Sequence, residues 1–143
     1  MIFKVLTKED VSSIIEIEKE NFSDGWNESL LNSAFDSGRF YALSLIDENQ
    51  TLGIITYSIA QDTADIEGVV TVKQFRRKGV GKMLVQQVLD SLKAQGVGKV
   101  FLEVRASNEP AKNLYHSKGF LDISLRKKYY QDGEDAIVML KEI

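Results

Sequence analysis

The chain has 143 residues, of which 43% are hydrophobic and 27% charged, and its formal net charge is -3. This fits one globular domain, residues 1–143, and the lack of cysteine excludes disulfides, thiolate nucleophiles and zinc–thiolate centres. No apolar run approaches the roughly 18 residues of a membrane span, and MIFKVLTKEDV at the start is too short and acidic for a signal peptide, so we expect a cytoplasmic protein without a membrane partner.

The charges are unevenly distributed along the chain. Residues 1–36 carry eight carboxylates against three lysines, whereas residues 73–82 carry five cations and no carboxylate. Such clusters are commonly solvated surface, and the alternative is a pair of sites for ligands of opposite sign. The basic segment is short and the whole chain is acidic, so we expect no nucleic-acid partner.

The first half of the chain predicts two helices followed by three strands. A helix begins after Thr7, with apolar residues at helical spacing, and Asn27 caps a second helix. FYALSLI (40–46) and LGIITYSI (52–59) are apolar runs separated by a short polar turn, which is typical of a hairpin. A third strand, DIEGVVTV (65–72), leads directly into a basic glycine turn.

The second half alternates helices with strands. From Gly79 an apolar residue recurs at every fourth position until Gly96 ends the helix. VFLEVRA (100–106) predicts a strand, and Asn108 caps the helix after it. FLDISLR and AIVMLKE form a final strand pair, so the predicted order is α-α-β-β-β-α-β-α-β-β in one α/β domain.

The glycine turn RRKGVGKML (76–84) fails two tests for well-known phosphate loops. A P-loop needs a hydroxyl where Met83 stands, and a dinucleotide fingerprint needs a glycine where Leu84 stands. What remains is a strand, a Gly-x-Gly turn and a helix N-terminus, whose free N–H groups favour a pyrophosphate without a metal. A turn that merely joins strand and helix is an equally good interpretation of the spacing.

Four segments together resemble a known family. RRKGVG (76–81) is similar to the Q/R-x-x-G-x-G/A acetyl-CoA loop of the GNAT N-acetyltransferases. LEVRASN (102–108), AKNLYHSKGF (111–120) and RKKYY…DGEDAIVM (126–139) resemble the bacterial ribosomal-protein alanine acetyltransferases of the RimI type. The resemblance covers nearly the whole chain. It implies a GNAT domain with a mixed, mostly antiparallel central sheet flanked by helices.

The resemblance also implies that acetyl-CoA is the cosubstrate. Its pyrophosphate would rest on the backbone and cations of the glycine turn: Arg76, Arg77, Lys78, Gly79, Val80, Gly81 and Lys82. Its pantetheine arm would bind the strand backbone at Val69, Val70 and Thr71. Asn108 would contact CoA as well as cap its helix. We expect no metal, because a single histidine, His116, is a poor site.

Two residues carry the chemistry in this resemblance. Alternation in VFLEVRA places Glu103 and Arg105 on the face opposite the apolar residues, where a solvated pair is the plain interpretation. The resemblance makes Glu103 the general base. It makes Tyr115, otherwise a plain core aromatic, the acid that protonates the CoA sulfur. A carboxylate base suits an α-amine, with a pKa of about 7.7–8.0, better than a lysine amine at about 10.4.

The acceptor slot of this family lies between the first two helices and the last hairpin. Phe22 and Trp26 match the F-x-x-x-W pattern there, and carboxylates on these helices would attract a basic peptide. Candidate substrate residues are Trp26, Gly68, Tyr129 and Tyr130. We therefore expect acetylation of the N-terminal α-amine of a ribosomal protein, with alanine first, by a monomer or weak dimer.

Other acceptors and one other class of function stay open. Before the glycine turn, family members often have Asn-Ile-Ala-Val-Asp-Pro where this chain has Gly68-Val-Val-Thr-Val-Lys73. The departure leaves room for a small-molecule amine or a lysine as the acceptor. A non-catalytic acyl-CoA-binding regulator is the third alternative, and there Glu103 and Tyr115 would be dispensable.

Overall fold

The computed structural model describes residues 1–21 and 26–143, which form seven strands and four helices. The strands are β1 Ile2–Leu6, β2 Phe40–Asp47, β3 Gln50–Ala60, β4 Thr63–Thr71, β5 Lys99–Arg105, β6 Leu121–Arg126 and β7 Ala136–Glu142. The helices are α1 Val11–Asn21, α2 Glu28–Asp36, α3 Val80–Ala94 and α4 Glu109–Ser117. None of the described helices has the length and apolar composition that a membrane-spanning helix needs.

The strands form one sheet in the order β1-β2-β3-β4-β5-β7-β6. Every neighbouring pair is antiparallel except β4 and β5, which run parallel. The predicted mixed, mostly antiparallel sheet is therefore confirmed. Pairing of β4 with β5 ends at Ile66 and Leu102, although β4 continues to Thr71 and β5 to Arg105. The two strands separate there and open the middle of the sheet.

The first strand was not predicted from the sequence, which placed a helix first. β1 pairs with β2 at the edge of the sheet, and Ile2 and Val5 are 64% and 69% exposed. An edge strand with exposed apolar residues on both faces lacks the alternation by which strands are recognised. The predicted start of the first helix is confirmed, because Thr7 and Asp10 form a capping box before α1. Phe22 lies outside the described residues.

Two apolar clusters cover the two faces of the sheet. The larger one buries α3 against β2 to β5, because an apolar residue at every fourth position forms one stripe along that helix. These stripe residues are Val80, Leu84, Val88 and Leu92, each at most 2% exposed. The smaller cluster packs α1 and α2 on the other face through Ile14, Leu31 and Phe40. The gap between β4 and β5 is thus bordered by helices on both faces.

Gly53 on β3 lies close to both the backbone of β4 and the side chains of α3. A Cβ at this position would stand 2.6 Å from the Val70 carbonyl oxygen and 2.8 Å from Val80 Cγ1. The backbone oxygen belongs to the sheet and cannot move away as a flexible side chain could. Gly53 therefore sets how closely α3 approaches the sheet.

We predict that Gly53→Ala lowers the free energy of unfolding by about 1–3 kcal/mol through overpacking. Gly98→Ala is the matched control, because the nearest atom to its Cβ would be the Asp62 carbonyl oxygen at 4.0 Å. Urea unfolding of both variants measures the difference. Equal stability of the two variants would contradict the packing described for α3.

Candidate active site

A cavity of about 460 Å3 lies where β4 and β5 separate. Its walls come from α1, α2, β4, β5 and α4, and from the segment between β6 and β7. It brings together seven residues that the sequence predicted for the site: Trp26, Gly68, Val69, Glu103, Asn108, Tyr115 and Tyr130. Residues up to 104 positions apart in the sequence thus meet around one space, with the predicted base and acid both in its wall.

The other predicted residues lie outside this cavity. Val70 is buried in the sheet at 2% exposure, and Tyr129 is 48% exposed. Thr71 and the glycine turn, residues 76–82, stand at the adjoining end of β4. A Cβ on Gly81 would lie 3.8 Å from Thr71 Oγ1, so the start of α3 directly adjoins the strand. The cavity and the basic turn therefore follow one another along β4.

The backbone of the glycine turn is shaped for the start of a helix. Gly79, the N-cap of α3, has φ of 79°, a left-handed conformation that favours glycine, and Arg77 has φ of 67°. The Met83 N–H donates to the Gly79 carbonyl oxygen at 3.0 Å, which leaves the N–H groups before it at the helix end. Arg77, Lys78 and Lys82 are exposed around them. The turn offers free N–H groups and cations to an anion.

A bulge in β4 directs its side chains at the cavity. Gly68 stands opposite Thr56 and Ile66 opposite Tyr57, which leaves Glu67 as an extra residue in the register of β3 and β4; its side chain accepts a hydrogen bond from the Ser58 hydroxyl of β3 at 2.9 Å. Bulges bend a strand and re-aim its side chains, and they are frequent beside active sites. The extra residue of the bulge directly precedes Gly68. Glu67 and Gly68 both line the cavity as a result.

Glu103 presents its carboxylate to the cavity with few partners. Its Oε1 lies 3.9 Å from Arg126 Nε, and its buried Oε2 accepts no hydrogen bond from the part of the chain that the structure describes. A hydrogen bond to the Glu103 carboxylate is the main cause that raises the pKa of the nearby Tyr129 phenol. Glu103 therefore lines the cavity with one oxygen that lacks a hydrogen-bond partner in the described chain, and its role as the base stays a prediction.

Arg105, the neighbour that the plain interpretation paired with Glu103, is held by other groups. Its guanidinium lies 2.8 Å from Asp132 and 3.0 Å from Glu134, and 4.0 Å from the centre of the Tyr130 ring. These contacts tie the segment between β6 and β7 to the end of β5. Tyr130 is fixed in the cavity wall by this arrangement.

Tyr115 is a core aromatic that also lines the cavity, and its role as the acid stays a prediction. It is 6% exposed and packs edge-on against Phe120, as a core aromatic does, and it also lines the cavity. Burial raises the pKa of its phenol well above the usual value, and the nearby Tyr130 raises it further. The hydroxyl therefore stays protonated at neutral pH.

Asn108 and Trp26 each combine a structural contact with a place in the cavity wall. Asn108 Oδ1 accepts a hydrogen bond from the Ala111 N–H at 3.2 Å, which confirms the predicted cap of α4. The Trp26 ring packs edge-on against Phe40, with ring centres 5.2 Å apart. Trp26 therefore packs against the smaller core cluster and also lines the cavity.

The sequence analysis missed two carboxylates in the cavity wall, Glu18 and Glu67. Glu18 is 4% exposed, and its Oε2 accepts a hydrogen bond from the Trp26 backbone N–H at 3.2 Å. Burial raises the pKa of Glu18, and this hydrogen bond opposes the shift. The signal was present in the sequence, because Glu18 stands four residues after Ile14 on the buried face of α1, where an apolar residue is expected.

Comparison with known proteins gives the same family from sequence and from fold. The acetyltransferase (GNAT) family matches residues 11–120. The [ribosomal protein bS18]-alanine N-acetyltransferase of Salmonella typhimurium is 31% identical over 138 residues, which cover 94% of this chain and 93% of that protein.

Two crystal structures have similar folds. The ribosomal-protein-S18-alanine N-acetyltransferase of Escherichia coli matches with a TM-score of 0.90 and 29% identity, covering 99% of this chain and 94% of that chain. Arabidopsis thaliana NAA60, in complex with acetyl-CoA, matches with a TM-score of 0.86 and 18% identity, covering 99% and 98%. The predicted fold class is confirmed by these matches.

We predict that Glu18→Gln stabilises the fold at pH 7 but not at pH 4. The pKa of Glu18 is raised in the folded state, so folding favours the protonated carboxyl. As pH rises from the usual pKa of 4.5 through the raised pKa of the folded state, wild type loses stability because the buried carboxyl becomes charged. Glutamine keeps an oxygen for the Trp26 N–H and carries no charge. Urea unfolding at both pH values measures the effect.

Glu16→Gln is the control, because Glu16 is exposed on the same helix. It should leave the stability unchanged within about 0.5 kcal/mol. A Glu18→Gln variant no more stable than wild type at pH 7 would contradict the conclusion that the buried charge of Glu18 destabilises the fold.

Proposed function

The chain belongs to the acetyltransferase (GNAT) family and is an N-acetyltransferase, and we propose that it transfers acetyl from acetyl-CoA to the N-terminal α-amine of a ribosomal protein. One observation carries the proposal: Glu103 and Tyr115 meet in the wall of a single cavity beside the basic turn of α3. A base, an acid and an anion-binding turn are what this transfer requires. We also propose that residues 1–143 act as one domain and as a monomer or weak dimer.

Acetyl-CoA would lie along β4, from the glycine turn into the cavity. The N–H groups at the start of α3 and the cations Arg77, Lys78 and Lys82 are suited to the pyrophosphate. Beyond Ile66 the strand no longer pairs with β5, so its backbone at Val69 is available to the pantetheine arm. The same backbone N–H groups can polarise the thioester carbonyl.

The proposed reaction is a direct attack of the amine on the thioester. Glu103 accepts the proton of the α-ammonium, directly or through water, and the free amine attacks the carbonyl carbon. The C–S bond then breaks, and Tyr115 gives its proton to the departing sulfur. A thiol pKa of about 8.5 lies below the value of about 10 for an ordinary phenol, and burial raises the pKa of Tyr115 further, so CoA thiolate is a weaker base than the Tyr115 tyrosinate. Water must therefore return a proton to Tyr115 soon after the transfer.

The acceptor is proposed from the relatives and from the charge of the cavity. The Salmonella and Escherichia coli relatives are named for alanine in ribosomal protein bS18, and both match over most of their length. Carboxylates at Glu18, Glu67 and Glu103 favour a cationic amine at neutral pH. Trp26 and Leu30 line the cavity with these carboxylates, and we expect these walls to accept a small first residue such as alanine.

We predict that Glu103→Gln and Tyr115→Phe each slow acetylation of an Ala-first basic peptide by about 10^2–10^4-fold. Both changes keep the size of the side chain and remove only the proton acceptor or donor. Mass spectrometry with fragment ions identifies whether the acetyl group is on the α-amine. Glu142→Gln and Tyr41→Phe are matched controls outside the cavity and should keep wild-type rates.

The peptide set distinguishes the other acceptors. A peptide with a blocked α-amine and a free lysine, together with small amines such as spermidine, runs beside the Ala-first peptides. Acetylation of these alone would contradict the N-terminal proposal and leave the acetyltransferase family standing. Wild-type rates in both variants would contradict the roles of Glu103 and Tyr115.

We predict that Arg77→Ala raises the dissociation constant of acetyl-CoA about tenfold, since a hydrogen bond to a charged group contributes about 1.5–3 kcal/mol. Lys93→Ala, an exposed cation at the far end of α3, is the control and should leave the dissociation constant unchanged. Isothermal titration calorimetry measures both. An unchanged dissociation constant for Arg77→Ala would contradict the proposed position of the acetyl-CoA phosphates at the glycine turn.

A further inference from the structure

Glu134, in the segment between β6 and β7, connects two parts of the cavity wall. Its Oε1 accepts a hydrogen bond from the Arg105 guanidinium at 3.0 Å, and its Oε2 accepts one from the Ser107 backbone N–H at 2.8 Å. Arg105 ends β5 and lines the cavity, and Ser107 directly precedes Asn108, the N-cap of α4. One carboxylate thus joins the segment between β6 and β7 to the end of β5 and the start of α4.

Both oxygens of Glu134 face donors, so this position requires a carboxylate. A glutamine has one oxygen and one amide nitrogen, and in either orientation its NH2 group would face a second donor, Ser107 or Arg105. The Glu134 side chain is 23% exposed, so the two bonds are partly shielded from water. Hydrogen bonds from Ser107 and Arg105 hold the pKa of Glu134 below its usual value. Glu134 is therefore a charged acceptor at neutral pH.

The Tyr130 ring, which the sequence predicted as a substrate contact, depends on the same carboxylate. The guanidinium of Arg105 lies over this ring, 4.0 Å from its centre, and a guanidinium held by a carboxylate keeps its flat face in one orientation. The Tyr130 N–H also donates to the Glu134 carbonyl oxygen at 3.2 Å. Side chain and backbone of Glu134 thus act on one tyrosine, and that tyrosine lines the cavity.

The start of α4 has restraints of its own. The Lys112 ammonium donates to the Ala106 carbonyl oxygen at 2.7 Å, and the Asn108 side chain caps the helix. Neither bond involves the carboxylate of Glu134. Loss of that carboxylate would therefore loosen the ring of Tyr130 more than the start of α4.

We propose that Glu134 is a positioning residue, which through Arg105 holds the Tyr130 ring in place before the acceptor binds. The inference rests on the proposed function and adds to the acceptor site a residue that acts through its neighbours. Without Glu134 the acceptor would bind only the fraction of molecules in which the ring is in place, and its apparent dissociation constant would rise by the inverse of that fraction. Once bound, the acceptor selects the same arrangement, so the chemical step would keep its rate.

The test measures steady-state kinetics with an Ala-first basic peptide and acetyl-CoA, followed by the release of CoA. Glu134→Gln should raise KM for the peptide about tenfold, while kcat and the dissociation constant of acetyl-CoA change by less than about twofold. A variant that merely lost stability would have less active enzyme and a lower kcat, with an unchanged KM.

Asp132→Asn is the matched control. It removes a carboxylate from the same guanidinium, which it contacts at 2.8 Å, but leaves the bond between Glu134 and Ser107. Asp132 is 63% exposed, and exposed ion pairs contribute little. KM for the peptide should therefore rise by less than about threefold in this variant.

Tyr130→Ala decides whether Glu134 acts through the ring. This variant alone should raise KM for the peptide, and adding Glu134→Gln to it should raise KM by less than about twofold more, because the ring to be held is gone. Arg105→Lys keeps the charge of the guanidinium but loses its flat face, and should raise KM as Glu134→Gln does. It keeps the test valid if Glu134→Gln misfolds.

The outcomes separate this inference from the proposed function. An unchanged KM in Glu134→Gln, or a tenfold effect that persists in the Tyr130→Ala background, would overturn the positioning role while acetylation itself stands. An equal rise of KM in Asp132→Asn would attribute the effect to the charge of the segment and overturn the positioning role as well. A wild-type protein that acetylates no Ala-first peptide would overturn the proposed function and the positioning role together.

Discussion

The separation of β4 from β5 is the constraint on which the rest of the site depends. The two strands pair in parallel from Thr63 and Lys99 as far as Ile66 and Leu102, and the bulge at Glu67 then bends β4 away. Separated strands leave backbone groups without ladder partners, a cost that a fold avoids unless something else uses them. α4 on one face and α1 and α2 on the other turn this gap into a cavity.

Charge is divided along the same strand. The turn that follows β4 is basic and ends in free helix N–H groups, whereas the cavity beside the strand is lined by carboxylates. In the proposed reaction the anionic cosubstrate and the cationic amine would approach from these two ends and meet between Glu103 and Tyr115. Each field attracts one reactant and repels the other, so the fold would order the two substrates before any chemistry begins.

Much of this could be predicted from the sequence because it depends on local rules. The apolar stripe of α3 and the caps at Thr7, Asn27 and Asn108 each follow from spacing within a few residues, and all are present. β1 could not be predicted, because an exposed edge strand has no alternation. Glu18 and Glu67 were missed as cavity residues for different reasons. Glu18 occupies a buried position of the α1 pattern that its spacing could have indicated, whereas the bulge at Glu67 depends on which strand lies opposite, and that is set by tertiary contacts.

The most direct test of the central claim is a crystal structure with a bisubstrate analogue, CoA joined through an acetyl linker to the α-amine of an Ala-first peptide. The account predicts that the amine nitrogen lies within hydrogen-bond reach of the Glu103 carboxylate, about 2.6–3.2 Å or one water away. It predicts the sulfur next to the Tyr115 hydroxyl and the pyrophosphate on the first turn of α3. A linker bound away from the gap between β4 and β5, or a sulfur out of reach of Tyr115, would contradict it.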